Sequence, residues 1–571
     1  MRIYGTGVSS GCVLGKSFIL KSLPEFDPEE RSAGTFEEKR KILLDAISTV
    51  KENLEDLKSK HDLNAERIAF LEVQQVMLSD PGFLSLIDEY LSAGYSPVAA
   101  VLRAVKVQED MLLALNDEYL AARRDDVRDI GMRIACCLCN IRYPSLSDLN
   151  SDVIVVAEDL LPSMLLEANL KHIKGIIMKG GTKTSHISIL ASGLEIPTIV
   201  GCSNALNITA DEYVYMDGEK GVIVYAMTDE EIEECRKLQT DYQNERSELE
   251  KYINKNAISS DGTRFSLCLN IADSAILDKA LKYNVDGVGL YRTEFIFMGR
   301  SNLPSEDEQF AAYSYAAEKL CGKPLTIRTL DVGGDKEIKY IEFPKENNPF
   351  MGYRGVRIYA DNRDIILTQL RAILRASAKG NVQVMFPMIS VAQEVRTMLE
   401  LLETAKAQLR SKGIPFNEKI RVGIMVEVPS AAVLIDKLLE YVDFISIGSN
   451  DLTQYTYAVD RMNEKVNYLY SFMDPAVLRL IKHIIDVAHG AGKECSLCGE
   501  MAGDPAGMAI LVILGLNKFS VSPSNILRAK KYMQLLNCSV MRKYADKLLE
   551  AKDKEEITDF LRTVLPNDYP I

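Results

Sequence analysis

The stretch FISIGSND, residues 444–451, begins as an apolar β-type run and ends in an amide and a carboxylate. Short apolar runs rich in aromatic and β-branched residues predict buried strands. We find eight such candidate strands, separated by helix-favouring segments, at 265–272, 287–294, 325–331, 382–388, 421–429, 444–451, 494–500 and 518–523. Eight strands alternating with helices predict a (β/α)8 TIM barrel, and a doubly wound open sheet is the alternative.

Polar side chains stand at or just beyond the carboxyl ends of most of these strands. They are Arg292, Glu294, Arg328, Asp331, Glu427, Asn450, Asp451, Cys498 and Glu500, with Arg461 shortly after the sixth strand. Any one of them taken alone could be a structural ion-pair residue. Because the reactive face of a (β/α)8 barrel lies at the carboxyl ends of its strands, the whole set favours the barrel and a site at its mouth.

The residue types at the predicted mouth indicate a particular ligand. Several arginines suit phosphate and carboxylate groups, since the guanidinium fork pairs with both in a bidentate manner. Glu427 and Asp451 suit Mg²⁺, which takes few protein carboxylates and leaves positions for substrate oxygens. The glycines of VGGDK, residues 332–336, let the backbone approach a phosphate. We therefore expect a small phosphorylated carboxylic acid bound with Mg²⁺.

Composition limits the class of protein. A chain of 571 residues is too long for one hydrophobic core, so we expect several domains. The formal charge of −14 argues against nucleic acid or an anionic membrane as the main partner. No apolar run approaches the ~18 residues that span a bilayer. The N-terminus lacks the pattern of a signal peptide, and the eleven cysteines are scattered. These features predict a cytoplasmic protein with reduced thiols.

The N-terminal half changes character twice. Residues 2–20 show a β-type pattern, and a capping box at Thr35 and Glu38 then opens a helical block of about four helices that extends to about residue 142. The β-type pattern returns at SDVIVVAEDL, residues 151–160. Because insertions at loop tips are well tolerated, we expect a small α/β domain into which an all-helical domain is inserted.

His186 lies in GGTKTSHISILASG, residues 180–193, at the start of a predicted helix. Thr184 or Ser185 would cap this helix and Gly193 would end it. The helix dipole there disfavours imidazolium, and the free N–H groups would hold a phosphate. A nucleophilic histidine is the interpretation that we favour, and a hydrogen-bonded structural histidine is the alternative. A metal ligand is disfavoured because no second ligand stands at suitable spacing.

Long motifs in the chain resemble those of enzyme I of the bacterial phosphoenolpyruvate:sugar phosphotransferase system, across essentially the whole length. The barrel half contains GLYRTEFIFMGR (289–300), IRTLDVGGDK (327–336), NPFMGYRGVRI (348–358), GIMVEVPSAA (423–432), SIGSNDLTQYTYAVDR (446–461) and LCGEMAGD (497–504). The N-terminal half contains EYLAARRDDVRDIG (118–131) and VVAEDLLPS (155–163).

The resemblance implies an activity and a set of residue roles. Enzyme I transfers the phosphoryl group of phosphoenolpyruvate to its own histidine and then to the carrier protein HPr. By motif position, His186 would be phosphorylated and Cys498 would protonate the enolpyruvate carbon, while Glu427 and Asp451 would hold Mg²⁺. The residues implied to bind phosphoenolpyruvate are Arg292, Arg328, Arg354, Asn450 and Arg461, with Lys336 nearby.

The resemblance also implies an organisation in domains. Residues 1–22 and 146–228 would form a swivelling α/β phosphohistidine domain, and 23–145 the inserted helical domain that docks HPr. Residues 229–256 would form a solvated linker helix, and 257–571 the phosphoenolpyruvate-binding TIM barrel, through which the protein would form a homodimer. Neither nucleic acid nor a membrane is expected as a partner.

The histidine region departs from the family motif. Lys183 and Ser192 stand where the family has arginines, with Lys183 a point-charge substitute for the first, Thr182 stands where it has a glycine, and Leu165 where it has a threonine. Gln74 replaces a common histidine beside the docking surface. Two alternatives follow: a regulatory protein that binds phosphoenolpyruvate and a carrier but transfers phosphate poorly, and a relative of the dikinase type. The second is disfavoured because no nucleotide-binding segment is visible.

Overall fold

The structure is a computed structural model that describes residues 1–60, 65–114, 118–182, 186–298, 300, 302–334, 338, 340–463 and 465–571. The chain forms two compact units, Met1–Arg246 and Ser247–Ile571. Within the ranges just given, no helix is both long enough and apolar enough to cross a membrane.

The first unit contains a mixed sheet of eight strands. They are β1 (Arg2–Tyr4), β2 (Thr6–Ser9), β3 (Cys12–Ile19), β4 (Val153–Ala157), β5 (Ile173–Met178), β6 (Thr198–Val200), β7 (Tyr213–Asp217) and β8 (Val222–Val224). Their spatial order is β1-β8-β7-β3-β4-β5-β6-β2. β3 and β4 are parallel neighbours, with Phe18 opposite Val155, although the helical block separates them in the chain. The predicted insertion of a helical domain into an α/β domain is therefore confirmed.

The inserted block contains more helices than the sequence pattern predicted. Its helices are α1 (Phe36–Lys60), α2 (Ala65–Met77), α3 (Pro81–Ser92), α4 (Pro97–Ala114) and α5 (Glu118–Leu138). The prediction of about four was wrong because SDPG, residues 79–82, both ends α2 and starts α3. The Asp80 carboxylate accepts a hydrogen bond from the Phe83 N–H at 2.7 Å, and Pro81 opens the helix.

Three further helices belong to the region that follows the inserted block: α6 (Pro162–Leu166), α7 (His186–Gly193) and α8 (Asp229–Glu250). We expected α8 to be a solvated linker. Most of its side chains are exposed, but Cys235 is buried and the Gln239 side-chain oxygen accepts a hydrogen bond from the Leu14 N–H at 3.2 Å. The first half of α8 therefore packs against the sheet and is not fully solvated.

The second unit contains a closed barrel of eight parallel strands. They are β9 (Ser266–Ile271), β10 (Val288–Arg292), β11 (Leu325–Arg328), β12 (Val382–Phe386), β13 (Arg421–Val426), β14 (Phe444–Ile447), β15 (Glu494–Leu497) and β16 (Lys518–Val521). Each one lies within a predicted strand. β16 pairs with β9, with Phe519 opposite Leu267. This pairing closes the barrel, so the predicted (β/α)8 fold is confirmed and the open sheet is excluded.

Helices surround the barrel in chain order. They are α9 (Leu277–Ala280), α10 (Glu294–Phe297), α11 (Glu306–Lys319), α12 (Arg363–Ala376), α13 (Ala392–Ser411), α14 (Pro429–Val433), α15 (Ile435–Leu438), α16 (Ser449–Tyr457), α17 (Pro475–Gly490), α18 (Pro505–Ile513), α19 (Ile526–Leu535), α20 (Cys538–Met541), α21 (Ala545–Leu549) and α22 (Lys554–Val564). Leu267, Leu269 and Ile271 of β9 join the large core outside the strands. Alternate residues of each strand face the interior, and all the strand carboxyl ends meet at one mouth.

Candidate active site

The barrel mouth collects the polar residues that the sequence analysis singled out. Arg292 and Arg328 are the last residues of β10 and β11. Glu427 directly follows β13, and Cys498 directly follows β15. Because the strands are parallel, these four side chains belong to the same end of the barrel.

The sequence pattern predicted that Asn450 and Asp451 end a strand, and this prediction was wrong. β14 ends at Ile447, and both residues lie in the first turn of α16. The Asn450 amide donates to a Glu500 carboxylate oxygen at 3.1 Å, and the Glu500 N–H donates to the Asn450 side-chain oxygen at 3.0 Å. The strand is shorter than expected because the chain turns into a helix at Gly448, which still places both side chains at the mouth.

Arg328 is buried and paired with two carboxylates. Its Nη1 lies 3.2 Å from Asp331 Oδ2, and its Nη2 donates to Glu294. Burial alone would lower the pKa of this guanidinium, but the carboxylates of Glu294 and Asp331 raise it above its ordinary value. Its Nε is buried and has no hydrogen-bond acceptor among the described residues. Arg328 therefore keeps a donor for a further acceptor.

Arg354 connects two buried carboxylates. Its Nε and Nη2 donate to Asp331 at 3.1 and 3.0 Å, and Nη2 also donates to Asp451 Oδ2 at 2.9 Å. Nη1 donates to the Tyr455 hydroxyl at 3.2 Å. Since Asp331 also contacts Arg328, this single carboxylate joins both guanidinium groups. The charges offset one another, which lowers the cost of removing them from water.

Glu427 and Asp451 form the acidic part of the mouth. Glu427 is buried, and its Oε1 accepts a hydrogen bond from the Met388 N–H at 2.6 Å. Burial, with the negative charges of Asp451 and Asp331, raises the pKa of Glu427 to about 8. Asp451 Oδ1 is buried without a hydrogen-bond donor among the described residues, and Arg461 Nη1 lies 4.0 Å from it. Asp451 is paired with Arg354 through Oδ2, whereas its Oδ1 keeps room for a further positive partner.

Met388 has an unusual backbone conformation for its role beside Glu427. Its φ is 55°, in the left-handed region that non-glycine residues rarely adopt. This conformation accompanies the hydrogen bond from the Met388 N–H to Glu427. Strain of this kind persists only where the surrounding structure enforces it, and it is common at functional sites.

Cys498 lies inside the barrel mouth as a thiol. Its Sγ–H donates to the Ile447 carbonyl at 3.6 Å. Burial raises the pKa of this thiol to about 11; the negative charge of Glu427 adds to the effect, whereas Arg328 and Arg292 oppose it. At neutral pH the group is therefore protonated and can donate a proton.

His186 is the first residue of α7, as the cap pattern predicted. Its side chain lies outside the part of the structure that is described, as do Lys183, Thr184, Ser185 and Lys336. Of the positions that depart from the family motif, Leu165 is fully buried in the core of the α/β domain. Thr182 and Ser192 are exposed. No hydroxyl at position 165 is available for a ligand.

Gln74 belongs to a hydrogen-bonded network inside the helical block, and the docking surface expected beside it stays a prediction. Gln74 is fully buried, and its amide donates to Asp129 Oδ2 at 2.8 Å. The same oxygen accepts from Arg133 Nε at 2.9 Å, and Arg133 Nη2 lies 2.6 Å from Glu167. Because Glu167 follows α6, this buried network joins the helical block to the α/β domain.

Sequence reasoning missed several roles at the mouth. It listed Asp331 as a strand-end residue but assigned it no function, and it did not single out Tyr455 or Asn270. The Asn270 amide donates to the carbonyl oxygen of Cys498 at 2.8 Å. A polar residue at an interior position of β9 was the available signal, because most interior barrel positions are apolar.

Three family models match successive parts of the chain. The family described as "PEP-utilising enzyme, PEP-binding domain" matches residues 246–538. The family described as "PEP-utilising enzyme, mobile domain" matches residues 149–221, and "PEP-utilising enzyme, N-terminal" matches 4–123. The first match alone covers the barrel and its mouth.

Several proteins named phosphoenolpyruvate-protein phosphotransferase are similar over the whole chain. That of Geobacillus stearothermophilus is 38% identical over 568 residues, covering 98% of this chain and 97% of the relative. That of Bacillus subtilis is 38% identical over 565 residues, covering 98% and 99%. That of Haemophilus influenzae is 38% identical over 575 residues, covering 99% of both. The chain therefore belongs to the phosphoenolpyruvate-protein phosphotransferase family.

Proposed function

We propose that this protein takes the phosphoryl group of phosphoenolpyruvate onto His186 and passes it to a histidine of an HPr-type carrier protein. The buried cluster at the barrel mouth carries the proposal: Arg328 and Arg354 share Asp331, and Arg354 also holds Asp451. Two guanidinium groups held side by side suit a small ligand with both phosphate and carboxylate groups. The names of the relatives identify the same donor.

Arg328 and Arg354 would bind the anionic groups of phosphoenolpyruvate. Arg328 Nε lacks an acceptor among the described residues, so a ligand oxygen would satisfy a buried donor that otherwise costs stability. The remaining proposed contacts are Arg292, Asn450 and Arg461, together with Lys336, which lies outside the described residues.

Glu427 and Asp451 would hold Mg²⁺. Two carboxylates would serve as ligands, Glu427 directly after β13 and Asp451 in the first turn of α16. That number fits Mg²⁺, which keeps water and substrate oxygens as its other ligands. The raised pKa of Glu427 and the unsatisfied Asp451 Oδ1 are the features that a divalent cation would relieve. When bound, Mg²⁺ neutralises charge on the transferring phosphoryl group.

The chemistry then has two steps. A nitrogen of His186 attacks phosphorus, so an N–P bond forms as the P–O bond breaks, and the electron pair stays on the enolate oxygen of pyruvate. Arg328 and Arg354 offset the charge that develops during this transfer. Cys498 then gives its S–H proton to carbon 3 of the enolate, a C–H bond and a ketone form, and the thiolate regains a proton from water. The raised pKa of Cys498 keeps this proton in place until it is needed.

The helical block would dock the carrier, and the barrel would form the homodimer. On the helical block, Val76 and Met111 are 71% and 57% exposed, as suits an apolar contact with a partner. On the barrel unit, Val433, Met462 and Tyr468 are 62%, 73% and 70% exposed. The cytoplasmic location that the sequence predicted stays a prediction.

Labelling with phosphoenolpyruvate tests the proposal. The protein is incubated with Mg²⁺ and phosphoenolpyruvate carrying a labelled phosphorus, and acid-labile label is counted on the wild type and on His186→Ala. We expect label on the wild type alone, and transfer of that label to added HPr. His172→Ala is the matched control, because His172 pairs with Asp152 on the surface of the same domain. Label retained by His186→Ala would refute the assignment of the histidine.

The region around His186 keeps a second function open, that of a regulatory protein with weak transfer. Leu165 is buried and has no hydroxyl, Ser192 replaces one family arginine, and Lys183 replaces the other with a point charge, so this region offers fewer phosphate contacts than the family motif. Lost charge-assisted hydrogen bonds cost on the order of 1.5–3 kcal/mol each. Binding of phosphoenolpyruvate in calorimetry without label on His186 would favour this alternative over the enzyme.

A further inference from the structure

Asn270 faces the interior of the barrel near its mouth. Its neighbours Leu269 and Ile271 join the outer core, so the alternation of the strand turns Asn270 inward. The amide Nδ2 donates to the Cys498 carbonyl at 2.8 Å and to the Ser520 carbonyl at 3.0 Å. The amide oxygen accepts from Ser520 Oγ at 2.6 Å. One side chain of β9 thus contacts the ends of both β15 and β16.

These contacts lie where the barrel has few backbone pairs. β15 and β16 share two residue pairs, Ser496 with Lys518 and Leu497 with Phe519, whereas β14 with β15 and β16 with β9 share four each. β15 ends at Leu497, and the following residue, Cys498, is not registered with Ser520 of β16. The Asn270 amide takes the place of the backbone hydrogen bonds that β15 and β16 lack here, and it holds the Cys498 carbonyl.

On the other side, the Cys498 N–H donates to the Ile447 carbonyl at 3.1 Å. The backbone of Cys498 is therefore fixed at both its N–H and its carbonyl. The Ser520 side chain also needs space beside Gly289 of β10, because a Cβ at Gly289 would lie 2.5 Å from Ser520 Oγ. Glycine at that position leaves space for Ser520 and hence for the Asn270 contact.

We propose that Asn270 is a positioning residue for the proton donor, because its amide holds the Cys498 backbone so that the thiol is directed at carbon 3 of the enolate. The inference rests on the proposed role of Cys498. Phosphoryl transfer to His186 does not need the thiol, whereas protonation does. Loss of the Asn270 amide should therefore slow protonation of the enolate without slowing phosphoryl transfer to His186.

Two measurements on the full-length protein test the inference. The first is single-turnover labelling of His186 from phosphoenolpyruvate with Mg²⁺. The second is deuterium uptake into the methyl group of pyruvate in D₂O, with phosphoenolpyruvate and Mg²⁺ present and no carrier. The variants are Asn270→Ala and Asn270→Asp, which keeps the size of the side chain but cannot donate. Ser266→Ala is the matched control, since Ser266 faces the interior of the same strand at its opposite end.

We expect both Asn270 variants to label His186 within about twofold of the wild type and to lose about tenfold to a hundredfold in deuterium uptake, as misplaced catalytic groups do. Ser266→Ala should change neither. Wild-type deuterium uptake in both Asn270 variants would overturn the inference. Equal loss of labelling, with a lowered melting temperature, would also overturn it by showing a structural role. Wild-type uptake in Cys498→Ser would instead refute the proposed acid and leave labelling intact.

Discussion

At the scale of the residue, Asp331 is fully buried and contacts both of the arginines proposed to bind phosphoenolpyruvate. Its two oxygens accept from Arg354 Nε and Nη2, and one of them also pairs with Arg328. The two guanidinium groups are therefore held by one carboxylate, and their separation depends on it.

Asp331→Asn should weaken substrate binding more than it slows the chemical step. The amide removes the shared charge but keeps the volume, so Arg328 and Arg354 lose their common anchor. We expect KM for phosphoenolpyruvate to rise by about tenfold or more. Removing the shared partner of two buried guanidinium groups, which keep Glu294 and Asp451, should also cost about 3 kcal/mol in the free energy of unfolding. Steady-state kinetics and urea unfolding measure the two effects.

Asp278→Asn is the control for this prediction. Asp278 pairs with Lys319 on the outside of the barrel, and its side chain is 48% exposed. Exposed pairs contribute little, so we expect no measurable change in the free energy of unfolding and an unaltered KM. An unchanged KM in Asp331→Asn would contradict the anchoring role.

Cys498→Ser should retain phosphorylation of His186 and slow the formation of pyruvate. The serine hydroxyl is a far weaker acid than a thiol, so protonation of the enolate becomes the slow step. Quenched-flow measurement of label on His186 and of pyruvate in the same samples checks this. Cys495→Ser, in the same strand, serves as the control, because Cys495 has no proposed role. Pyruvate formation at the wild-type rate in Cys498→Ser would count against the assignment.

At the scale of the element, Lys530 of α19 binds backbone carbonyl groups from two other segments of the chain. It is fully buried, and its Nζ donates to the carbonyls of Tyr252 and Ile253 at 3.2 and 3.0 Å and also to that of Tyr283. Tyr252 and Ile253 follow α8, so Lys530 ties the chain that leaves this helix to the barrel. Cations near helix carboxyl ends stabilise the free carbonyls there.

The stability of the protein should depend on the pH through Lys530. Burial lowers the pKa of Lys530 to about 8, below its ordinary value of 10.5. Between these values the unfolded chain binds the proton and the folded chain does not, so the free energy of unfolding rises with pH across this window. Lys530→Met should lose that slope, which urea unfolding from pH 7 to 10 measures for both proteins.

Lys437→Met is the matched control, because the Lys437 side chain is 65% exposed and pairs only with neighbouring surface carboxylates. It should keep the wild-type slope. Parallel pH curves for the wild type and Lys530→Met would contradict the prediction.

At the scale of the whole molecule, the chain consists of two compact units, and the proposed chemistry is divided between them. His186 belongs to the first unit, while Arg328, Arg354, Glu427 and Cys498 belong to the second. The second unit has a hydrophobic core of its own around the barrel. A unit with its own core folds independently as a rule.

A fragment of residues 247–571 should therefore fold alone, bind phosphoenolpyruvate with Mg²⁺, and take up no label, because it lacks His186. Binding should raise its melting temperature, since a ligand stabilises the state to which it binds. Circular dichroism, calorimetry and labelling check these three outcomes. The same fragment with Asp331→Asn is the control for specific binding. An unfolded fragment, or label on the fragment, would contradict the division of roles.

Local patterns along the chain were enough to predict the barrel, the inserted helical block and the residue types at the mouth. These follow from local patterns: the period of apolar residues, the capping box at Thr35, and polar residues at strand ends. The start of α3 at Asp80 was not predicted, because residues 79–82 both end α2 and begin α3.

Which side chains meet could not be predicted from these patterns, because it depends on contacts between distant parts of the chain. Arg354 and Asp451 are 97 residues apart, and Asn270 and Cys498 are 228 apart, yet each pair is hydrogen-bonded. Gln74 became buried because α2 packs on α5 and brings it to Asp129. Periodicity is a property of neighbouring residues, whereas these contacts depend on barrel closure and on how each loop directs its side chains.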